Sequence, residues 1–129
     1  MDLILVIGGY AQGKLNYVCQ NYHLQESVVW DGNLPEDRLP LGDTVIINHF
    51  HGWVRRRMAQ GGCPEQEINA ILARYRYGFI ICDEVGNGIV PTDAFEREYR
   101  EQVGRLLIML ADRATAVERV ICGIGQRIR

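Results

Sequence analysis

The sequence predicts an α/β fold, a mainly parallel sheet with helices on both faces. Three observations carry the prediction. Short, continuously apolar runs of strand length recur along the chain, as in sheets covered on both sides. Segments of helical character separate them, and the breaks fall on Gly, Pro, Asn and Asp. With 129 residues, 47% of them hydrophobic and 23% charged, there is material for one core, so residues 1–129 are expected to form a single domain.

The elements follow in order. Leu3–Ile7 reads as a buried central strand ending in Gly8-Gly9, with Lys14–Tyr22 as the next helix. Val28–Trp30 is a weak second strand, ending at the turn residues Asp31-Gly32-Asn33 and a proline-containing loop through Gly42. Thr44–Phe50, rich in β-branched residues, is the third strand. Gly52–Met58 starts a helix that Gly61-Gly62 breaks, and Pro64 fits the first turn of another, running to about Tyr75. Gly78–Cys82 is an apolar strand ending at Asp83-Glu84 and the loop Gly86-Asn87-Gly88. Thr92 or Asp93 caps a long helix, with Glu96 completing a capping box with Asp93; Phe95, Tyr99, Val103, Leu106, Leu107 and Leu110 form its buried face. Val120–Ile124 is the closing strand.

Charge narrows the function. A net charge of −2 and a pI near 5.9 give no field to gather nucleic acid or an anionic membrane, so no nucleic-acid partner is expected. No apolar run approaches the roughly 20 residues of a membrane span, and Met1-Asp2-Leu3-Ile4 lacks the basic start of a signal peptide; a cytoplasmic location is expected. Cys19, Cys63, Cys82 and Cys122 show no CxxC spacing and are expected as buried, inert thiols. Of the 14 basic side chains 13 are arginine, and the one lysine is Lys14.

That lysine completes Gly8-Gly9-Tyr10-Ala11-Gln12-Gly13-Lys14, a GxxxxGK spacing between an apolar strand and a helix. Such a loop turns backbone N–H groups toward a phosphate, the helix N-terminus adds its positive end, and the ammonium supplies a point charge. The expected architecture is therefore P-loop NTPase-like (RecA-like), with Gly8 through Leu15 binding ATP or GTP. The bland alternative is a glycine-rich turn with an ordinary surface lysine. Leu15 stands where a Ser or Thr hydroxyl would contact Mg²⁺, which puts direct metal contact, and with it efficient phosphoryl transfer, in question. Asp83 and Glu84, at the C-terminal end of a strand, are candidates to hold Mg²⁺ or orient a hydroxyl, and Glu84 joins Lys14 as a candidate catalytic residue; simple capping is the alternative. His49 and His51 lie two residues apart at the end of the third strand and could face one way toward metal or phosphate, although no third ligand is evident. Arg55-Arg56-Arg57 forms a basic triplet of which at most one or two members can face a site; a solvated face is the ordinary reading.

The sequence resembles the bifunctional adenosylcobinamide kinase and adenosylcobinamide-phosphate guanylyltransferase family of cobalamin biosynthesis, in shortened form. Leu5-Val6-Ile7-Gly8-Gly9 through Gly13-Lys14 is similar to the family's opening strand and loop. Glu84-Val85-Gly86-Asn87-Gly88-Ile89-Val90-Pro91, then Tyr99-Arg100-Glu101 and Gly104-Arg105, resemble its EVGxGIVP stretch and following helix, and Cys122-Gly123-Ile124-Gly125 its closing strand. The middle of the chain matches poorly.

The resemblance implies phosphoryl transfer from ATP or GTP to the aminopropanol hydroxyl of adenosylcobinamide, then guanylylation through a covalently modified histidine, in a homo-oligomer, by family a trimer. That histidine belongs between the second and third strands, where Asp31–Asp43 has none, so guanylyl transfer is expected to be lost unless His49 or His51 has taken over. Asn48 replaces a family carboxylate, Leu107-Ile108 replace a polar pair, and Asp83 stands where Asn is common. Two readings follow: a kinase dependent on Lys14, or a catalytically degenerate nucleotide- or corrinoid-binding module with a regulatory or assembly role.

Overall fold

The computed structural model describes residues 1–85 and 93–129. Its strands are β1 (Asp2–Gly8), β2 (Val29–Asp31), β3 (Thr44–Asn48), β4 (Tyr77–Asp83), β5 (Ala116–Ile121) and β6 (Ile124–Arg127); its helices are α1 (Lys14–Asn21), α2 (Phe50–Ala59), α3 (Pro64–Leu72) and α4 (Ala94–Arg113). The six strands form one sheet in the order β2-β3-β4-β1-β5-β6, parallel except for β6. Side chains alternate across a strand, so the apolar runs fill two layers. Leu3, Leu5, Ile47 and Ile80 pack under α2, α3 and α4, while Val6, Ile46, Ile81 and Val120 pack with Val18 of α1. This is the expected α/β, P-loop NTPase-like architecture, with helices on both faces.

The helix signals act through identifiable contacts. Pro64 opens α3, and Glu67 in its first turn accepts a hydrogen bond from the Cys63 N–H at 2.6 Å. Asp93 caps α4 by accepting from the Glu96 N–H at 3.0 Å, while the Glu96 carboxylate pairs with Arg55 at 2.5 Å. Only the Asp93 half of the expected capping box is therefore recorded. The buried face of α4 is Tyr99, Val103, Leu106 and Leu110, flanked by half-buried Phe95 and Leu107. No described helix is long and apolar enough to cross a membrane.

Three expectations need correction. β3 stops at Asn48 because His49 adopts a left-handed conformation, φ 54°, and Phe50 starts α2 with its ring fully buried. The closing strand is a hairpin: β5 begins at Ala116, and Cys122 (φ 50°) and Gly123 (φ 74°) turn the chain into antiparallel β6. The charges of Glu118 and Arg119 break the apolar run that marks a strand, although Glu118 is buried and accepts hydrogen bonds from the Tyr17 and Tyr22 hydroxyls. The thiols are not uniformly buried either, since Cys63 and Cys122 are exposed at a helix cap and a turn. Smaller shifts move β2 to Val29–Asp31 and end α1 at Asn21 and α3 at Leu72. Gly86-Asn87-Gly88, Ile89-Val90-Pro91 and Thr92 lie outside the described residues.

Candidate functional site

Parallel pairing puts the ends of β1 and β4 side by side, Gly8 opposite Asp83, at the carboxyl edge where open sheets bind ligands. The order also reverses here, since β1 sits between β4 and β5. From this edge the chain loops through Ala11 (φ 57°) and Gly13 (φ 81°, ψ 28°) into α1. A left-handed residue immediately before a helix turns the chain so that first-turn N–H groups, which have no intrahelical acceptor, open toward the loop. Gln12 fixes the loop from behind: its backbone carbonyl accepts from the Gly123 N–H at 2.8 Å and its side-chain oxygen from the Cys122 N–H at 2.7 Å.

Lys14 is 7% exposed, and its ammonium donates to the Gly9 carbonyl at 2.7 Å and pairs with Asp83 Oδ1, also at 2.7 Å. An ammonium has three donors, so these two contacts hold it at the loop with one direction to spare. Asp83 Oδ2 lies 3.4 Å from His51 Nε2, and the Asp83 N–H donates to His51 Nδ1 at 3.1 Å. Accepting at Nδ1 puts the neutral ring's proton on Nε2, facing the carboxylate. Burial pulls the His51 pKa below its usual value despite Asp83, with His49, Lys14 and Arg55 adding to the depression. The His51 ring meets that of His49 edge-on at 5.8 Å, and His49 Nδ1 is 3.1 Å from Asp31 Oδ2. Asp31, His49, His51, Asp83 and Lys14 thus form a row along the ends of β2, β3, β4 and β1.

These groups border a cleft of 420 Å³ lined by Tyr10 to Leu15 together with Asn48, His49, His51, Ile81 and Asp83, within the size range of small-ligand sites. One ammonium and backbone donors on one wall, imidazoles and a carboxylate on the other, suit a phosphate ester beside a proton-accepting group.

Glu84 and the arginine triplet lie outside this cleft. Glu84 turns to β5, where Arg119 holds its two oxygens at 2.8 and 3.2 Å, and it does not line this cleft. Each arginine of the triplet pins α2 to another segment: Arg55 to Glu96 and the Tyr99 ring, Arg56 to Glu36 and two loop carbonyls, Arg57 to Glu67. Leu15 lines the cleft with a side chain that has no oxygen, and Asp83 is already engaged by Lys14 and His51. Among the described residues no group of three His, Cys, Asp or Glu side chains could hold a metal ion. Leu15 therefore supplies no direct ligand for Mg²⁺.

Asp31, read from sequence as a turn residue, is the member of the row that residue patterns missed. Its signal was the one that marked Asp83, an acid at the end of a strand. The latch from Gln12 to the final turn carried no such signal, because its Cys122 and Gly123 partners are backbone groups more than a hundred positions away.

No curated protein sequence matches the chain. The family described as cobinamide kinase / cobinamide phosphate guanyltransferase matches residues 34–128, from the β2–β3 connection through the closing hairpin and including Asn48, His49, His51, Asp83 and Glu84. The middle of the chain, expected to match poorly, falls within that span, and the Gly8–Lys14 loop precedes it. Covering well over half the sequence, the match shows that this chain belongs to the cobinamide kinase / cobinamide phosphate guanyltransferase family, nucleotide-using transferases of cobalamin biosynthesis.

Proposed function

We propose that the cleft binds a nucleoside triphosphate, with its phosphates against Gly8–Leu15, and that the chain transfers the terminal phosphoryl group to the aminopropanol hydroxyl of cobinamide. The single observation that carries this reading is the placement of Lys14, a buried ammonium held between the Gly9 carbonyl and Asp83 at the rim of the cleft. On binding, the ammonium shifts its remaining donor to phosphate oxygens, and first-turn amides of α1 take the rest of the charge. Because such donors are pre-oriented in a half-enclosed cleft, they stabilise charge on the transferring group without reorganising. Asp83 Oδ2, steadied by His51, is positioned to orient the acceptor hydroxyl and receive its proton. The test is transfer of label from γ-labelled ATP or GTP to cobinamide by purified protein, with Mg²⁺ supplied. Labelled corrinoid that disappears in Lys14→Ala supports the reading. Nucleotide binding without any labelled corrinoid would leave a binding module and overturn it.

A second reading is favoured by one contact. The Asp31–His49 pair holds a proton on Nδ1 and leaves Nε2 as a nucleophile at the cleft wall, which would let His49 serve guanylyl transfer in place of the histidine missing from residues 31–43. Incubation with α-labelled GTP should then give acid-labile label on the protein, absent in His49→Ala. Unlabelled wild-type protein would exclude it and leave the kinase reading alone.

A further inference from the structure

Beside the phosphate cleft, and sharing Gly13 with it, is a second hollow of 270 Å³ between α1 and the β5–β6 turn, lined by Gly13, Asn16, Tyr17, Gln20, Asn21 and Gly123. Nothing in the proposed phosphoryl transfer uses it. Its walls are fixed. Tyr17 is held by its hydroxyl on the buried Glu118 carboxylate and by Gly125, where a Cβ would collide with the Tyr17 ring. Gly123 is held by its N–H on the Gln12 carbonyl. On this frame sit three carboxamides, Asn16, Gln20 and Asn21, for whose side chains no hydrogen bond is recorded among the described residues. No charged side chain lines the hollow.

We infer that this hollow receives the nucleobase of the triphosphate and that its carboxamides select adenine. The inference rests on the nucleotide reading above and adds the location and identity of the base. The two hollows share Gly13 at the start of α1, so a ligand with its terminal phosphates at Lys14 can enter the second one past Gly13 and Asn16. A ring there meets a rigid aromatic wall at Tyr17. A carboxamide donates from nitrogen and accepts at oxygen, matching the N7 acceptor and N6 donor of adenine as a pair. Guanine offers two adjacent acceptors on the same edge, for which arginine or lysine is the fitting partner, and its N1 and N2 donors call for a carboxylate. Neither kind of side chain is present here.

Calorimetric titration of the whole chain with ATP, GTP and inorganic tripolyphosphate tests the inference. ATP should bind at least about fivefold more tightly than GTP and than tripolyphosphate. The double variant Asn16→Ala/Gln20→Ala should lose that advantage while its tripolyphosphate affinity stays at the wild-type value. Gln20→Glu should move the preference toward GTP. If tripolyphosphate and both nucleotides all fail to bind, the phosphate cradle itself is wrong. If tripolyphosphate binds as well as ATP, or GTP binds more tightly than ATP, or the double variant keeps its preference for ATP, the cradle survives and the base site is refuted.

Discussion

Replacing Lys14 by Met separates its two jobs, holding the fold together and holding a ligand. The ammonium is 7% exposed and 2.7 Å from a carboxylate that is itself 21% exposed. Removing one partner of a fully buried pair costs about 3–5 kcal/mol, because the other charge is left without compensation. Partial exposure of Asp83 and its neighbour His51 reduce that here, so Lys14→Met should cost about 2–3 kcal/mol. In a chain of this length that lowers Tm by roughly 6–15 °C. Asp83→Asn, which leaves the ammonium in place of the carboxylate, should cost a similar amount. The double variant Lys14→Met/Asp83→Asn contains neither charge and should return to within about 1 kcal/mol of wild type, a coupling well above the few tenths expected of independent sites. Urea unfolding of the four proteins reads the cycle, and nucleotide titration of the same four reads the ligand. The ligand should be lost in every protein lacking Lys14, including the restored double variant. Additive stability losses would refute the pair as a structural unit, and wild-type nucleotide affinity in the double variant would refute the role of the ammonium.

Other consequences are simpler to read. A Cβ at Gly8 would lie 2.5 Å from the Val120 carbonyl oxygen, a backbone atom that cannot swing aside, so Gly8→Ala should destabilise by about 2 kcal/mol or more in urea unfolding and reduce ligand binding with it. The thiols should react in order of exposure: Cys63 and Cys122 promptly with Ellman's reagent, Cys19 more slowly, and Cys82, whose pKa burial pushes up to about 12, only after denaturation. His51 has a folded pKa below its unfolded value, so the unfolded chain takes up its proton first. Its contribution is absent above about pH 6.5 and becomes a loss of stability as pH falls below that. His51→Gln should flatten that part of the stability–pH curve, and an unchanged slope would count against burial of the neutral ring.

Much of this architecture was legible because its signals are local. The apolar runs of β1, β3 and β4, the proline opening α3 and the Asp93 cap each act within a few residues of where they are written. What escaped depends on distant partners. β5 carries a glutamate that is tolerated in the interior because Tyr17 of α1 and Tyr22 just past its end meet it, and the final turn uses a cysteine in a conformation that more often takes glycine or asparagine. The site divides the same way. The loop, Asp83 and the two histidines were marked by spacing and by position at strand ends, whereas the separation of Asp83 from Glu84 follows from the pleat, which sends neighbouring side chains to opposite faces. One acid meets Lys14 and the other Arg119. Asp31 joins the row only because β2 pairs with β3, a fact of sheet order that no window of sequence contains.

The central claim is that main-chain amides around Lys14 grip phosphate. Amide chemical shifts of ¹⁵N-labelled protein titrated with tripolyphosphate address it without involving base, acceptor or turnover. The account predicts saturable shifts concentrated on Gly9 through Leu15, smaller ones on Asp83 and His51, and none of this pattern in Lys14→Met. Shifts centred on another part of the surface, or none at concentrations that saturate ordinary phosphate sites, would contradict it.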